Sequence, residues 1–146
     1  MKITLDTNVL YQALYGSAGS SHAILQLIRT GELQLALSVP VFEEYQDVLH
    51  RRKTRKELGL SAAEVQTVLD FVAFVGIQTS ADFLWRPNLR DEGDNMFIEL
   101  AQASGSDYLI TSNIRDFTVA SELKFDSFLV VTPKDFMIAW RKMRNE

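Results

Sequence analysis

The hydrophobic positions of the chain fall into short apolar runs separated by longer stretches with helical spacing. Short β-branched or apolar runs predict strands over residues 2–5, 34–38, 76–79, 108–111 and 128–131. Apolar residues at helical spacing predict helices over about 20–29, 40–52, 61–75 and 91–104, and a terminal helix from residue 133. Strands that alternate with helices favour an α/β fold, in which helices cover both faces of a parallel sheet. We expect one such domain over residues 1–146.

Turn and capping residues mark the ends of these elements. Asp6, Thr7 and Asn8 form a polar stop after the first strand, and residues 16–20 resemble a flexible connection. A capping box at Ser61 and a capping pattern at Thr132 begin two of the helices. Ligand sites in open parallel sheets lie beyond the carboxyl ends of the strands, so Asp6 is placed where chemistry is expected.

Composition limits the chemistry available to such a site. The chain has no Cys and two His, which excludes disulfides, thiol nucleophiles, cysteine zinc sites and iron–sulfur clusters. A bound metal ion would therefore be held mainly by oxygen. No apolar run reaches the roughly 18 residues that a membrane span needs, and no signal peptide is evident. We expect a cytoplasmic protein with no membrane partner.

Several acidic residues are predicted to point inward, where charge is costly. Glu44 shares a helix face with Val41 and Val48, whereas Glu43 lies on the outer face. Asp94 precedes Phe97 by one helical turn, on the predicted buried face of its helix. Glu44 also has a simpler explanation, because it could form an ion pair with an arginine.

Two further acids lie at predicted element ends. Asp91 stands at a helix start, where capping alone would explain it, and Asp116 follows a strand end, where it could be a turn residue. Carboxylates about 4 Å apart repel by roughly 4 kcal/mol per pair at an effective dielectric constant of 20. A cluster of Asp6, Glu44, Asp94 and Asp116, with Asp91 nearby, would need a cation. Oxygen ligands suit Mg²⁺ or Mn²⁺, which accept phosphate oxygens, so a phosphodiester is the expected substrate.

Short polar residues and a basic stretch accompany these acids. Thr7, Asn8 and Thr111 could orient carboxylates or water, although a strand-end turn needs such residues anyway. Cations crowd one stretch, where they could contact the phosphates of the substrate or complement the end of a solvated helix. The basic residues are Arg51, Arg52, Lys53, Arg55 and Lys56.

Six blocks of sequence carry the candidate residues. The blocks are Leu5-Asp6-Thr7-Asn8-Val9-Leu10, Val41-Phe42-Glu43-Glu44-Tyr45, Arg90-Asp91-Glu92-Gly93-Asp94, Asp107-Tyr108-Leu109-Ile110-Thr111-Ser112-Asn113, Asp116-Phe117 and Thr132-Pro133-Lys134-Asp135-Phe136. In this order they resemble the PIN-domain ribonucleases, and more closely their VapC-like toxin branch, and the resemblance covers nearly the whole chain.

The resemblance implies a three-layer α/β/α fold and metal-assisted hydrolysis of RNA with Mg²⁺ or Mn²⁺. By resemblance, Asp6, Glu44 and Asp94 take the three principal acidic positions. The fourth position is often Asp in the family and is Asn113 here, so Asp116 is assigned the ligand role and Asn113 a hydrogen-bonding role. The resemblance also implies an antitoxin partner, whose helix the apolar region of the first helix could accept, and a possible homodimer.

Two other functions remain open from the sequence. In a HAD-like phosphatase the strand-end Asp6 would be the nucleophile, but that chemistry needs a second acid where the chain has Asn8. A PIN-like module without activity would be a binding scaffold. The inward acids argue against the scaffold, because their repulsion would serve no purpose there.

Overall fold

The fold is built on a parallel sheet, in a computed structural model that describes residues 1–80, 95–117 and 127–145, apart from the side chain of Asp116. The strands are β1 (Lys2–Leu5), β2 (Gln34–Leu37), β3 (Ile77–Gln78), β4 (Tyr108–Ile110) and β5 (Leu129–Val131). Their order is β3-β2-β1-β4-β5, and each neighbouring pair is parallel. The first strand of the chain therefore lies in the middle of the sheet, between strands from later parts of the sequence.

Helices cover the sheet and complete a three-layer α/β/α arrangement. They are α1 (Thr7–Tyr15), α2 (Ser20–Arg29), α3 (Val39–Leu49), α4 (Arg52–Leu58), α5 (Ala62–Val75), α6 (Asn95–Ser104) and α7 (Pro133–Arg144), with a 3₁₀ helix at Ile114–Phe117. Helix α6 packs on β1, β2 and β4, and α5 packs on β2. Helix α2 packs against both α1 and α7.

Burial on both faces explains why the strands are apolar without alternation. Ile3, Thr4 and Leu5 of β1 are all buried. The polar member of this run has a partner, since the Thr4 and Ser106 hydroxyl oxygens lie 2.9 Å apart. The sheet centre is thereby a rigid base for the groups that follow β1.

The strands and most helix boundaries agree with the sequence predictions. Both hydrogen bonds of the Ser61–Glu64 capping box are present, and the Thr132 hydroxyl accepts from the Asp135 amide at the start of α7. The predicted start of the helix over 91–104 lies outside the described residues, which take up that helix at Asn95.

Two local predictions are wrong. Residues 6–8 are not a free polar turn, because Asp6 is the N-cap of α1 and the helix begins at Thr7. The helix predicted over 40–52 ends at Leu49, and the basic stretch forms the separate helix α4 after an extended residue, Arg51. Most of these cations therefore lie along a short helix of their own rather than at the end of α3.

Over the described part of the chain, no one helix has both the length and the apolar character to cross a membrane. The adjoining helices α4 and α5 meet those criteria only when taken together, across a 90° bend.

Candidate functional site

The register of β1 and β4 brings two polar side chains to the same edge of the sheet. Leu5 pairs with Ile110, so the next residues, Asp6 and Thr111, leave the sheet side by side. The Asp6 amide donates to the Ile110 carbonyl at 2.9 Å, which continues the pairing by one step. Asp6 is 7% exposed, so its carboxylate lies at a nearly enclosed position.

The Asp6 carboxylate is held by the fully buried hydroxyl of Thr111. Thr111 Oγ1 donates to Asp6 Oδ2 at 2.6 Å and accepts from the Asn113 amide at 3.0 Å. Because the hydroxyl has one proton, the two contacts together fix its direction toward the carboxylate. This geometry matches the orienting role considered for Thr111, and it gives Asn113 a contact through its backbone.

Helix α1 is fastened to the loop after β4 by a series of hydrogen bonds. Asn8 Oδ1 accepts from the Ser112 amide at 3.4 Å, and Gln12 Nε2 donates to Ser112 Oγ at 3.3 Å. Ser21 Oγ in turn donates to Gln12 Oε1 at 3.1 Å. Sequence analysis missed Gln12 and Ser112. Gln12 lies one helical turn after Asn8, a spacing that identifies it once α1 is known to be a helix.

Helix α3 brings Glu44 to the interior side of its surface. Glu44 is half-buried while the adjacent Glu43 is exposed, as the helical spacing predicted. The Ser38 hydroxyl caps this helix by accepting from the Val41 amide, and Pro40 suits its first turn.

Tyr45, the residue after Glu44, connects α3 to the strand that carries Asp6. Its buried hydroxyl donates to the Leu5 carbonyl at 2.6 Å. Burial raises the pKa of Tyr45 well above its usual value, and the negative charge of Asp6 raises it further, so the hydroxyl stays protonated as a donor. The hydrogen bond between Tyr45 and Leu5 therefore joins the residue after Glu44 to the residue before Asp6.

Two of the buried side-chain oxygens that lack a hydrogen-bond partner among the described residues belong to helices that flank the candidate site. They are Thr7 Oγ1, directly after Asp6, and Asn95 Oδ1, at the first described residue of α6. Thr7 is 7% exposed and Asn95 is 4% exposed. Helix α6 leads into β4, so Asn95 lies toward the sheet edge at which β4 ends. Unpaired buried oxygens are costly, and a hydrated cation is one group that would supply partners.

Other predicted acids fall partly or wholly outside the description. Asp91 and Asp94 lie outside the described residues. The backbone of Asp116 belongs to the 3₁₀ helix Ile114–Phe117, which begins beside Asn113, but its side chain is not described. Among the described side chains, no three His, Asp or Glu groups converge on one point. Of the predicted acids, the structure thus describes the side chains of Asp6 and Glu44.

The basic residues lie on or next to α4. Arg51 precedes the helix and forms an exposed ion pair of 2.6 Å with Asp47, while Arg55 Nε donates to the His50 carbonyl. The other three predicted phosphate-binding cations, Arg52, Lys53 and Lys56, are exposed.

Helix α4 lies beside α1, the helix that Asp6 caps. The Tyr11 hydroxyl donates to the Glu57 carboxylate and joins the two helices. This bond to a negative group raises the pKa of Tyr11 to about 12. The exposed cations are consequently next to the helix that leads out of the candidate site.

Comparison with known proteins was made for both sequence and fold. A family model described as "PIN domain" matches residues 2–115. No curated protein matches the chain. The fold is similar to a chain in the crystal structure of VapBC2 from Rickettsia felis bound to a DNA fragment from their promoter, with a TM-score of 0.55 and 20% sequence identity. The alignment covers 90% of this chain and 98% of that chain, so the two folds correspond over most of their length.

Proposed function

Because this chain belongs to the PIN-domain family, we propose that it is a ribonuclease that hydrolyses RNA phosphodiester bonds with Mg²⁺ or Mn²⁺. The observation that carries the proposal is the buried Asp6 carboxylate, held by Thr111 at the carboxyl edge of the central strand. Burial raises the free-energy cost of a charged carboxylate, and a bound cation would offset part of that cost.

The oxygen-bearing side chains of the elements that carry the candidate site are of a type that suits such an ion. Asp6 and Glu44 supply carboxylates, the chain has no Cys to favour a softer metal, and Thr7 and Asn95 have buried oxygens without described partners. Asp6, Glu44, Asp94 and Asp116 would hold the ion, with Asp91 as an additional acid. When bound, the ion supplies charge neutralisation for the acids and for the phosphate during in-line displacement.

The chain's own residues position the acids for this reaction. Thr111 holds one oxygen of Asp6, and Tyr45 fixes the residue before Asp6 relative to the helix of Glu44. Asn8 and Gln12 hydrogen-bond to Ser112 and hold α1 against the loop after β4, so the residues on both sides of Asp6 are fixed. Such fixed geometry matters because misplacement by about 1 Å costs catalysis on the order of a hundredfold.

The neighbouring residues Glu43 and Glu44 offer a matched test of the active site. Glu44→Gln and Asp6→Asn are expected to fold and to lose RNA cleavage in Mn²⁺ by at least about a hundredfold, since each removes a carboxylate from the ion. Glu43→Gln has the same chemical change on the exposed side of α3 and should keep full activity. Cleavage of a fluorescent RNA by highly purified protein, with and without chelator, measures this.

Three results would contradict the ribonuclease proposal. Equal cleavage by all variants would show that these acids do not hold the ion. Cleavage that survives chelator would show that the reaction does not require a metal ion. A protein that binds RNA without cutting it would be the inactive PIN-like module.

We also propose an antitoxin-type protein partner, which would make this chain the toxin of a pair. The similar chain from Rickettsia felis belongs to a crystal structure of VapBC2 bound to a DNA fragment. In the present chain, a cavity of about 520 Å³ lies among α1, α2 and α5, and its apolar lining includes Leu14, Leu25, Val68 and Phe71. An amphipathic partner helix could lay its apolar face there.

Co-expression with a candidate antitoxin tests the partner proposal. The complex is expected to survive purification and to suppress RNA cleavage, because the partner would cover α1, the helix that Asp6 caps. Phe71→Asp should raise the dissociation constant of the complex at least about tenfold while leaving cleavage by the free protein intact. Suppression that is unchanged in Phe71→Asp would place the partner elsewhere.

A further inference from the structure

One face of α1 continues outward from the candidate site, and the outer part of this face has no role in the chemistry proposed above. Asn8, Tyr11, Gln12 and Tyr15 are spaced by three or four residues and share this face. Its first part is fastened to the loop after β4 through Asn8 and Gln12. Its outer part presents two tyrosine rings instead.

The two tyrosines form a held aromatic surface. Their ring centroids are 6.0 Å apart at an interplanar angle of 29°. The Tyr11 hydroxyl is bonded to Glu57 of α4, which anchors one ring, while Tyr15 is 66% exposed. An anchored ring next to an exposed one is a surface on which a flat ligand can stack at little cost in side-chain entropy.

A small cavity lies against this aromatic surface. It has a volume of about 400 Å³ and is lined by Tyr11, Gln12, Tyr15 and Glu57. That size is within the range of small-molecule sites and accepts a single nucleobase. The lining combines two aromatic rings with one carboxylate, which is a chemistry for stacking together with hydrogen-bond acceptance.

Helix α4, which supplies Glu57 to the cavity, also carries exposed cations that suit a nucleic acid strand. Lys53 lies one helical turn before Glu57 on α4, and Lys56 directly precedes it; both are exposed. Phosphates could contact these cations while the base meets the carboxylate. A purely acidic ligand is disfavoured by Glu57 itself.

We propose that this cavity is a subsite for one guanine base of single-stranded RNA, with the base stacked on Tyr15. This inference rests on the proposed ribonuclease function. Guanine carries adjacent imino and amino donors on its Watson–Crick edge, and a carboxylate offers two acceptor oxygens to match them. Glu57 retains acceptor capacity beside its bond from Tyr11, because each carboxylate oxygen has two lone pairs.

The position of the subsite sets its distance from the cleaved bond. Tyr11 and Tyr15 lie five and nine residues after Asp6, which corresponds to roughly 7 and 14 Å along a helix axis. The recognised base would therefore belong to a nucleotide near the scissile phosphodiester rather than to a remote part of the RNA. Single-stranded RNA is required, because a base inside a duplex cannot stack on a side chain.

Oligonucleotide binding tests this subsite separately from cleavage. The Asp6→Asn protein, with Mg²⁺ present, is titrated into fluorescent uridine pentamers that carry G, A, C or U at one position. The G-containing strand is expected to bind most tightly. Adding Tyr15→Leu should weaken its binding by about 5- to 150-fold, and Tyr15→Phe should restore it.

Two more variants separate stacking from base reading. Glu57→Gln should lower the preference for guanine while binding to the other strands is kept. Phe74→Leu removes an exposed ring on α5 that does not line this cavity, and it should leave every affinity unchanged. Thermal unfolding of each variant checks that the fold is intact.

The outcomes distinguish this inference from the ribonuclease proposal. RNA cleavage without guanine preference, or with no effect of Tyr15→Leu, would overturn the subsite alone. Wild-type protein that binds the G-containing strand through Tyr15 but never cuts RNA would overturn the nuclease and keep the subsite. If Tyr15→Leu weakens only the binding of a protein partner, or if no oligonucleotide binds, the subsite is rejected.

Discussion

Tyr45 combines a ring packed in the core with a hydroxyl group that donates a buried hydrogen bond. The ring is buried with Leu5 and Val41, yet its oxygen contacts the backbone of the strand that ends at Asp6. A single buried hydrogen bond therefore fixes the spacing between α3 and β1. Since Glu44 and Asp6 are the adjacent residues, any loosening here is transmitted directly to the candidate ion ligands.

Tyr45→Phe tests this contact with the loss of one oxygen atom. The variant leaves the Leu5 carbonyl without its donor, so we expect unfolding in urea to require about 1–3 kcal/mol less free energy. Tyr15→Phe removes the same group from an exposed position and should change stability by less than about 0.5 kcal/mol. Equal stability of wild type and Tyr45→Phe would mean that the bond contributes nothing.

At the scale of elements, local signals predicted most of the architecture but missed helix α1 and the end of α3. The strands and helices α2, α5 and α7 could be predicted because their apolar runs are bounded by caps or glycines. Helix α1 was missed since Asp6 caps it while resembling a turn residue, and glycine and serine follow soon after Tyr15. The end of α3 has no Gly or Pro, so its break at His50 depends on tertiary packing.

The same reasoning explains which site contacts were predictable. Parallel strand ends meet at one edge, which predicts that Asp6 and Thr111 are close, and helical spacing predicts that Glu44 points inward. The bonds from Tyr45 to Leu5 and from Gln12 to Ser112 were not predicted. They depend on distances between separate elements, which no periodicity along the chain encodes.

The junction of α5 and β3 gives a prediction at this scale. A Cβ atom at Gly76 would lie 2.6 Å from Leu37 Cδ2 and 2.8 Å from the Val72 carbonyl oxygen, so Gly76→Ala must displace backbone or core. We expect a loss of about 1–3 kcal/mol in thermal or urea unfolding. Gly16→Ala has open space around it and should be neutral or stabilise slightly. If both variants have wild-type stability, the close approach at Gly76 is incorrect.

For the whole molecule, the candidate site is a point where separate layers meet. Asp6 comes from the central strand, Glu44 from a helix that packs against α6, and Thr111 from the neighbouring strand. An ion held by these groups would therefore stabilise the entire fold and not one segment.

Metal binding should accordingly raise global stability. With Mn²⁺ at a hundred times its dissociation constant, mass action predicts an increase of about 2.7 kcal/mol in the free energy of unfolding, reversed by chelator. Glu44→Gln should show a smaller increase and Glu43→Gln the full one. Calorimetry or urea unfolding with and without Mn²⁺ measures this, and no stabilisation at millimolar Mn²⁺ would favour a module without an ion.

The central place of β1 has a consequence for the order in which the candidate site forms during synthesis of the chain. Asp6 and Thr111 are 105 residues apart in sequence, yet the hydrogen bond between their side chains orients the Asp6 carboxylate. At ordinary rates of translation, roughly 5 to 20 s pass between the synthesis of these two residues. A nascent chain on the ribosome therefore carries Asp6 before Thr111 exists, and this bond can form only after the later strand has been made.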